Sequence, residues 1–285
     1  MLDKQESQRL RQLAQQVRHG VIVATHAGKS GHPGGSLGAA DIFTYLYFKE
    51  MHIDPTAPRK PDRDRFVLSK GHCAPGLYST LALRGFFPQE DLATLRHIGS
   101  HLQGHPNMNT TPGVDMSTGS LGQGISAACG MALAAKATAA PYRVYALLGD
   151  GEIEEGECWE AFMFAAHYKL DNLCAIIDIN GLQIDGPTKE VMNAEPIDKK
   201  MQAFGFEVID INGNDMDALA DAFEKARTVR GKPACILART TKGKGVSFMQ
   251  NKAGWHGKAP NDDEAKTALA EIDAEYDRLG GAHNG

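Results

Sequence analysis

Val144-Tyr-Ala-Leu-Leu148 runs into Gly149-Asp-Gly151, and Leu173-Cys-Ala-Ile-Ile-Asp178 runs on to Asn180. Each is a short, nearly continuous apolar run, the pattern of a strand buried on both faces. Helical spacing lies between them, over residues 157–168. The alternation continues with a helix over 197–204, a strand over 206–210, a helix over 215–230 and the strand Ala234-Cys-Ile-Leu-Ala238. This order predicts an α/β fold: a central, mostly parallel sheet with helices on both faces.

Upstream, Leu10, Leu13, Val17, Val21 and Ala24 mark a buried helical stripe within residues 5–27. A loop follows, Gly28-Lys-Ser-Gly-His-Pro-Gly-Gly35, and then an amphipathic helix over 39–49. Three prolines and many charges make 52–65 a surface connection. Arg65-Phe-Val-Leu-Ser69 reads as a strand, 75–84 as a helix, 97–119 as a loop, and 121–137 as a helix of small residues. No repeat or linker divides the chain, so residues 1–285 are expected to form a single domain. Residues 262–285 are charged, end in Gly-Gly-Ala-His-Asn-Gly, and are expected to be a mobile tail.

The 285 residues are 42% hydrophobic and 23% charged, which excludes a disordered or collagen-like chain. A net charge of −5 gives no reason to expect nucleic acid or an anionic membrane as partner. Five cysteines, an odd number with no C-x-x-C pair, fit free thiols in a reducing compartment. No secretion leader is visible, and the weakly polar run 125–135 is too short to span a bilayer. The expected location is the cytoplasm.

In open α/β sheets, ligands bind at the carboxyl ends of the strands. Asp150 lies just past one strand and Asn180 just past the next. If those strands are neighbours, a carboxylate and an amide oxygen share one crevice. With a backbone carbonyl and phosphate oxygens they would suit Mg²⁺. Asp150 taken alone also reads as a turn residue between glycines. Gly119-Ser-Leu-Gly-Gln-Gly124 can turn backbone N–H groups towards an anion, but it is not the G-x-G-x-x-G dinucleotide fingerprint. Gly28-Lys29-Ser30 resembles the end of a P-loop, yet Val23 stands where its first glycine is needed. His97, His101 and His105 have the spacing of a helical zinc face. Gly99, Gly104 and Pro106 argue against a helix there. His32, His72, His105 and His256 lie in Gly/Pro loops and together suggest a polar pocket for a hydroxylated, phosphorylated ligand.

Gly149-Asp-Gly151 followed by Asn180 resembles the thiamine diphosphate (ThDP) signature. Lys29-Ser-Gly-His-Pro-Gly34, Arg63-Asp-Arg-Phe-Val-Leu-Ser-Lys-Gly-His72, Gly104-His-Pro106 and Thr118-Gly-Ser-Leu-Gly-Gln-Gly124 resemble transketolase in sequence and order. The resemblance covers residues 10–260. It implies the diphosphate-binding domain of a ThDP enzyme. Asp150, Asn180 and the Leu182 carbonyl would hold Mg²⁺, for which Ca²⁺ or Mn²⁺ can substitute. His72, Gly151, Gly119, Ser120, Leu121, Asn180, Ile184, Lys242 and His256 would meet the cofactor. His32, His105 and His256 would be the catalytic contacts to donor and acceptor hydroxyls, with Arg96 near the sugar phosphate. Glu155 and Glu160 would form the family's acidic link between cofactor sites. Exposed acids favoured at a helix start are the other reading of that pair.

Complete transketolases are more than twice this length. The resemblance therefore implies the N-terminal subunit of a split transketolase. A second subunit would supply the pyrimidine-binding and C-terminal domains, with the catalytic glutamate, in an α₂β₂ assembly. This chain would be inert alone. With its partner it would transfer a two-carbon ketol unit between sugar phosphates. Another ThDP-dependent condensation or decarboxylation, and a non-catalytic partner subunit, are the alternatives.

Overall fold

The computed structural model describes residues 2–282. Helix α1 (Lys4–Ala27) starts at Asp3, whose carboxylate accepts the Glu6 N–H. Next come α2 (Pro33–Gly38) and α3 (Ala40–Tyr45), the latter prolonged by a π turn over Leu46–Glu50. Strand β1 (Arg65–Leu68), α4 (Ala74–Arg84), α5 (Gln123–Ala137) and β2 (Val144–Gly149) follow. Then come α6 (Gly156–His167), β3 (Leu173–Ile179) and a small hairpin of β4 (Leu182–Gln183) and β5 (Gly186–Pro187). The chain continues with α7 (Thr188–Val191), α8 (Ile197–Ala203), β6 (Glu207–Asn212), α9 (Met216–Thr228), β7 (Ala234–Arg239) and α10 (Asp262–Arg278).

The main sheet has the order β1-β2-β3-β7-β6, and every pair in it is parallel. Parallel crossovers are right-handed, so steps in one direction along a sheet place their helices on one face. From β1 to β2, β3 and β6 the chain steps one way, and α5, α6 and α8 share one core. From β6 it steps back to β7, and α9 lies in the opposite core with α1 and α4. The strands feed both layers by alternation. Tyr145 and Leu147 pack with α1, α4 and α9, whereas Val144, Ala146 and Leu148 pack with α5 and α6. Burial on both faces is why these strands read as unbroken apolar runs.

After β3 the chain moves to the α8 face. After β7 it moves towards α1, where Val246 and Met249 pack with Val21 and Ile22. The two loops diverge, and a crevice opens between them at the carboxyl end of the sheet.

Two expectations change. The loop expected over 28–35 ends early, because Pro33 opens α2 with its fixed φ at the first helical turn. The expected mobile tail is a docked helix over most of its described length. Asn261 and Glu264 form a reciprocal capping box, and Ala265, Ala268 and Ile272 are buried against Val21 and Ile22 of α1. That stripe is made mostly of alanine among many charges, so composition hid it. Residues 283–285 lie outside the described residues. Among the described residues no helix is long and apolar enough to cross a membrane, and the five cysteines are buried free thiols.

Candidate active site

Register places the first pair of site residues. Gly149 at the end of β2 lies opposite Asp178 in β3, and the Asp150 N–H donates to the Asp178 carbonyl at 3.1 Å. The Asp150 side chain is buried and accepts from the N–H groups of Gly181 (2.6 Å) and Gly151 (3.0 Å). Burial, with Asp178 nearby, pushes its carboxyl up to about 6. An added cation would reverse that shift. Asn180 donates through Nδ2 to Asp178 at 3.0 Å, and its Oδ1 accepts the Leu182 N–H at 3.2 Å. The Leu182 carbonyl accepts from Lys242 Nζ at 3.0 Å, so this oxygen already sits against a positive charge.

Asp150, Asn180 and Leu182 border one cleft of about 300 Å³. One carboxylate, one amide and one carbonyl make a hard-oxygen set suited to Mg²⁺. Among the described residues no group of three His, Cys, Asp or Glu side chains gathers as a metal site. The His97, His101 and His105 spacing therefore comes to nothing. His97 faces the Ala27 carbonyl at 3.4 Å, His101 pairs with Asp91 at 3.1 Å, and His105 turns into the cleft.

The second group is the four loop histidines, which the fold gathers across the same cleft. The His32 ring lies 5.3 Å from His72, 5.4 Å from His256 and 6.3 Å from His105, measured between centroids. His72 and His256 stack at 4.9 Å. Burial lowers all four below the ordinary imidazole value. Cations add to it: Arg96 beside His32 and His105, Lys242 beside His32 and His256, and Lys70 beside His72. His32 is pushed down to about 4 and His256 to about 3. At neutral pH these rings are uncharged and can each donate and accept one hydrogen bond. The buried Nδ1 atoms of His32 and His256 have no hydrogen-bond partner among the described residues.

The remaining candidates divide. Gly119, Leu121, Gly151 and Ile184 line the cleft, with Leu121 and Ile184 exposed at its edge. Lys242 stands just behind, on the Leu182 carbonyl, with its charge weakened by burial. Ser120, Glu155 and Glu160 are exposed, outside the cleft lining. Arg96 stands behind His105, with Nη1 donating to Ser30 Oγ at 3.0 Å and Nη2 to the Gly104 carbonyl at 3.3 Å. Its backbone adopts a left-handed φ of 62°.

Four side chains of the site were not anticipated: Lys70, Glu152, Asp178 and Gln183. Lys70 and Asp178 form a buried ion pair beneath the cleft, and Thr240 also donates to Asp178. Burial opposes the Lys70 charge, but Asp178 outweighs it and raises the ammonium above its usual range. A signal was available, because a carboxylate at the end of an apolar strand needs a partner. Glu152 and Gln183 gave no comparable signal.

The chain matches the family model described as transketolase, thiamine diphosphate binding domain, over residues 10–277. It is 48% identical to the 6-deoxy-6-sulfo-D-fructose transketolase subunit of Clostridium sp. (strain MSTE9), covering 86% of this chain and 89% of that subunit. It is 42% identical to an apulose-4-phosphate transketolase subunit of Phocaeicola vulgatus, covering 94% and 95%. Among solved structures, transketolase from Leishmania mexicana superposes with a TM-score of 0.87 at 31% identity, covering 95% of this chain and 45% of that one. The chain thus spans nearly the whole of the subunit relatives and under half of that transketolase. On its matched sequence and superposed fold, it belongs to the transketolase thiamine diphosphate-binding domain family.

Proposed function

We propose that this chain is the cofactor-binding subunit of a two-component transketolase. With a second subunit it moves a two-carbon ketol unit from an anionic ketose to an aldose phosphate. The observation that carries this reading is the convergence, on one cleft, of a hard-oxygen set and four uncharged imidazoles. Asp150, Asn180 and the Leu182 carbonyl would hold Mg²⁺. His72 and the backbone at Gly151 would meet the diphosphate, and Gly119 and Leu121 would line the cofactor. When bound, ThDP supplies the carbanion chemistry, which protein side chains alone do not provide. His32, His105 and His256 would hold sugar hydroxyls and carry protons at their ring nitrogens. Lys242 would close against the same ligands.

The subunit relatives match this chain in length, which supports a partner carrying the other domains. So do the exposed Leu121 and Ile184 on the cleft edge, apolar surface that a second subunit would cover. A symmetric α₂β₂ assembly in the cytoplasm fits this reading. The relatives' names include a sulfonated and a branched sugar, so the donor here is sought among anionic ketoses generally.

The test is two-carbon transfer to ribose 5-phosphate, with ThDP and Mg²⁺. Xylulose 5-phosphate, apulose 4-phosphate and 6-deoxy-6-sulfofructose would each serve as donor. Activity is expected only with the copurifying partner. Activity of the chain alone would contradict the two-component reading. Silence of the complex with every donor would contradict ketol transfer.

A further inference from the structure

The buried carboxylate of Glu152 follows the cleft's Asp150-Gly151 turn and touches three separate segments. One oxygen accepts from Ser69 Oγ and from the Gly122 N–H at 3.0 Å. The other accepts from the Gly149 N–H at 3.0 Å. Only 2% of the residue is exposed. Every partner is a donor, so the ionised carboxylate fits the pattern and a group that must donate does not. Burying a carboxylate is costly; three donors and the neighbouring Lys70 offset part of that cost, and burial still holds the carboxyl above its usual range.

Each of the three segments lines part of the cleft. Ser69 leads into Lys70-Gly71-His72, Gly149 into Asp150 and Gly151, and Gly122 closes the loop that holds Gly119 and Leu121. Gly122 is also the N-cap of α5. It has a left-handed φ of 88° and no side chain to cap the helix, so Glu152 supplies the negative charge that the helix start favours. A Cβ on Gly124, one turn in, would lie 2.5 Å from Ser69 Cα, so the ends of β1 and α5 already touch.

We infer that Glu152 is a positioning residue, which locks the three ligand-facing loops in the relative placement that holds ThDP and Mg²⁺. This rests on the ThDP reading above. It also predicts a sign. A carboxylate beside a diphosphate site repels the ligand, so by charge alone its removal tightens binding. If Glu152 acts as a tie, its removal weakens binding.

The test is calorimetric titration of ThDP, with Mg²⁺ present, into the complex of this chain and its partner. Wild type, Glu152→Gln and Ser69→Ala would be compared. Whichever way the introduced amide turns in Glu152→Gln, its NH₂ faces a glycine N–H. The dissociation constant is expected to rise about ten- to a hundredfold for Glu152→Gln and about threefold for Ser69→Ala. The loss in kcat at saturating ThDP should be much smaller than the loss of cofactor affinity, since Glu152 places the cofactor and does not touch substrate. Unchanged or tighter binding in Glu152→Gln overturns the inference. So does a loss of affinity that merely tracks a fall in the melting temperature without cofactor. If Glu152→Gln does not fold, Ser69→Ala decides, because it leaves the carboxylate and two of its ties in place. If wild type binds no ThDP, the functional reading fails and this inference fails with it.

Discussion

Six histidines of this chain form two groups that differ in what surrounds them. His26 and His101 lie at or near the surface, each beside a carboxylate: Asp262 at 2.9 Å and Asp91 at 3.1 Å. His32, His72, His105 and His256 lie in a cleft where the charges acting on them are the cations Arg96, Lys70 and Lys242. A carboxylate partner engages one ring nitrogen and ties the imidazole into the fold. Burial among cations instead leaves the cleft rings uncharged, able to donate and accept toward a ligand. The lesson is that partners, rather than spacing, separate a functional histidine from a structural one.

The largest effect is expected at Asp150, the carboxylate that shares the cleft with those histidines. Asp150→Ala removes the one charged oxygen of the proposed metal set, and activity of the complex should fall about a hundredfold or more. Cofactor titration would show whether the loss lies in binding. Activity kept at wild-type level would mean that Asp150 is only a turn residue. His32→Asn should come next, lowering kcat/KM by about a hundredfold, in the range of lost acid–base and hydroxyl contacts. His26→Ala, made on the surface group, should leave kcat/KM unchanged. Equal losses in the two variants would erase the distinction between the groups.

Acidification sharpens the comparison. The lowered histidines take up protons in the unfolded chain from about 6.5 downwards, and in the folded chain only towards about 4 for His32 and about 3 for His256. Through that window the unfolded state binds more protons, so stability without ligand falls as pH falls. Asp150, raised to about 6, works in the opposite direction between that value and its unfolded one. Glu152 and Glu154, also raised by burial, act with Asp150; four lowered histidines, two of them strongly, leave a net loss. The melting temperature should drop by several degrees between pH 7 and 4, and replacing both His32 and His256 with Asn should flatten the slope. A slope unchanged in that double variant would place the titrating groups elsewhere. The smallest effect belongs to the surface pair: His26→Ala should shift the melting temperature by about 1–2 °C at most.

The sheet was legible because β2, β3 and β7 are buried on both faces and so read as apolar runs. Asp150 and Asn180 were legible because they follow those runs directly, and their strands are neighbours. The histidine pocket was legible from its loops, and Gly99, Gly104 and Pro106 already argued against the helical zinc face suggested by the spacing of His97, His101 and His105. Helix α10 was missed because a stripe of two alanines and one isoleucine does not stand out among charges. Glu152 was missed for a different reason. Two of its three partners are 83 and 30 residues away, and local pattern carries no trace of such contacts. Glu155 stood out in sequence beside the same motif, yet its side chain is exposed outside the cleft lining.

The most direct test is titration of ThDP into the complex with Mg²⁺, with a chelator, and with Mg²⁺ in the Asp150→Ala variant. Binding that needs the metal and disappears with Asp150 is the predicted result. ThDP binding indifferent to both chelation and the substitution would contradict the assignment of this cleft.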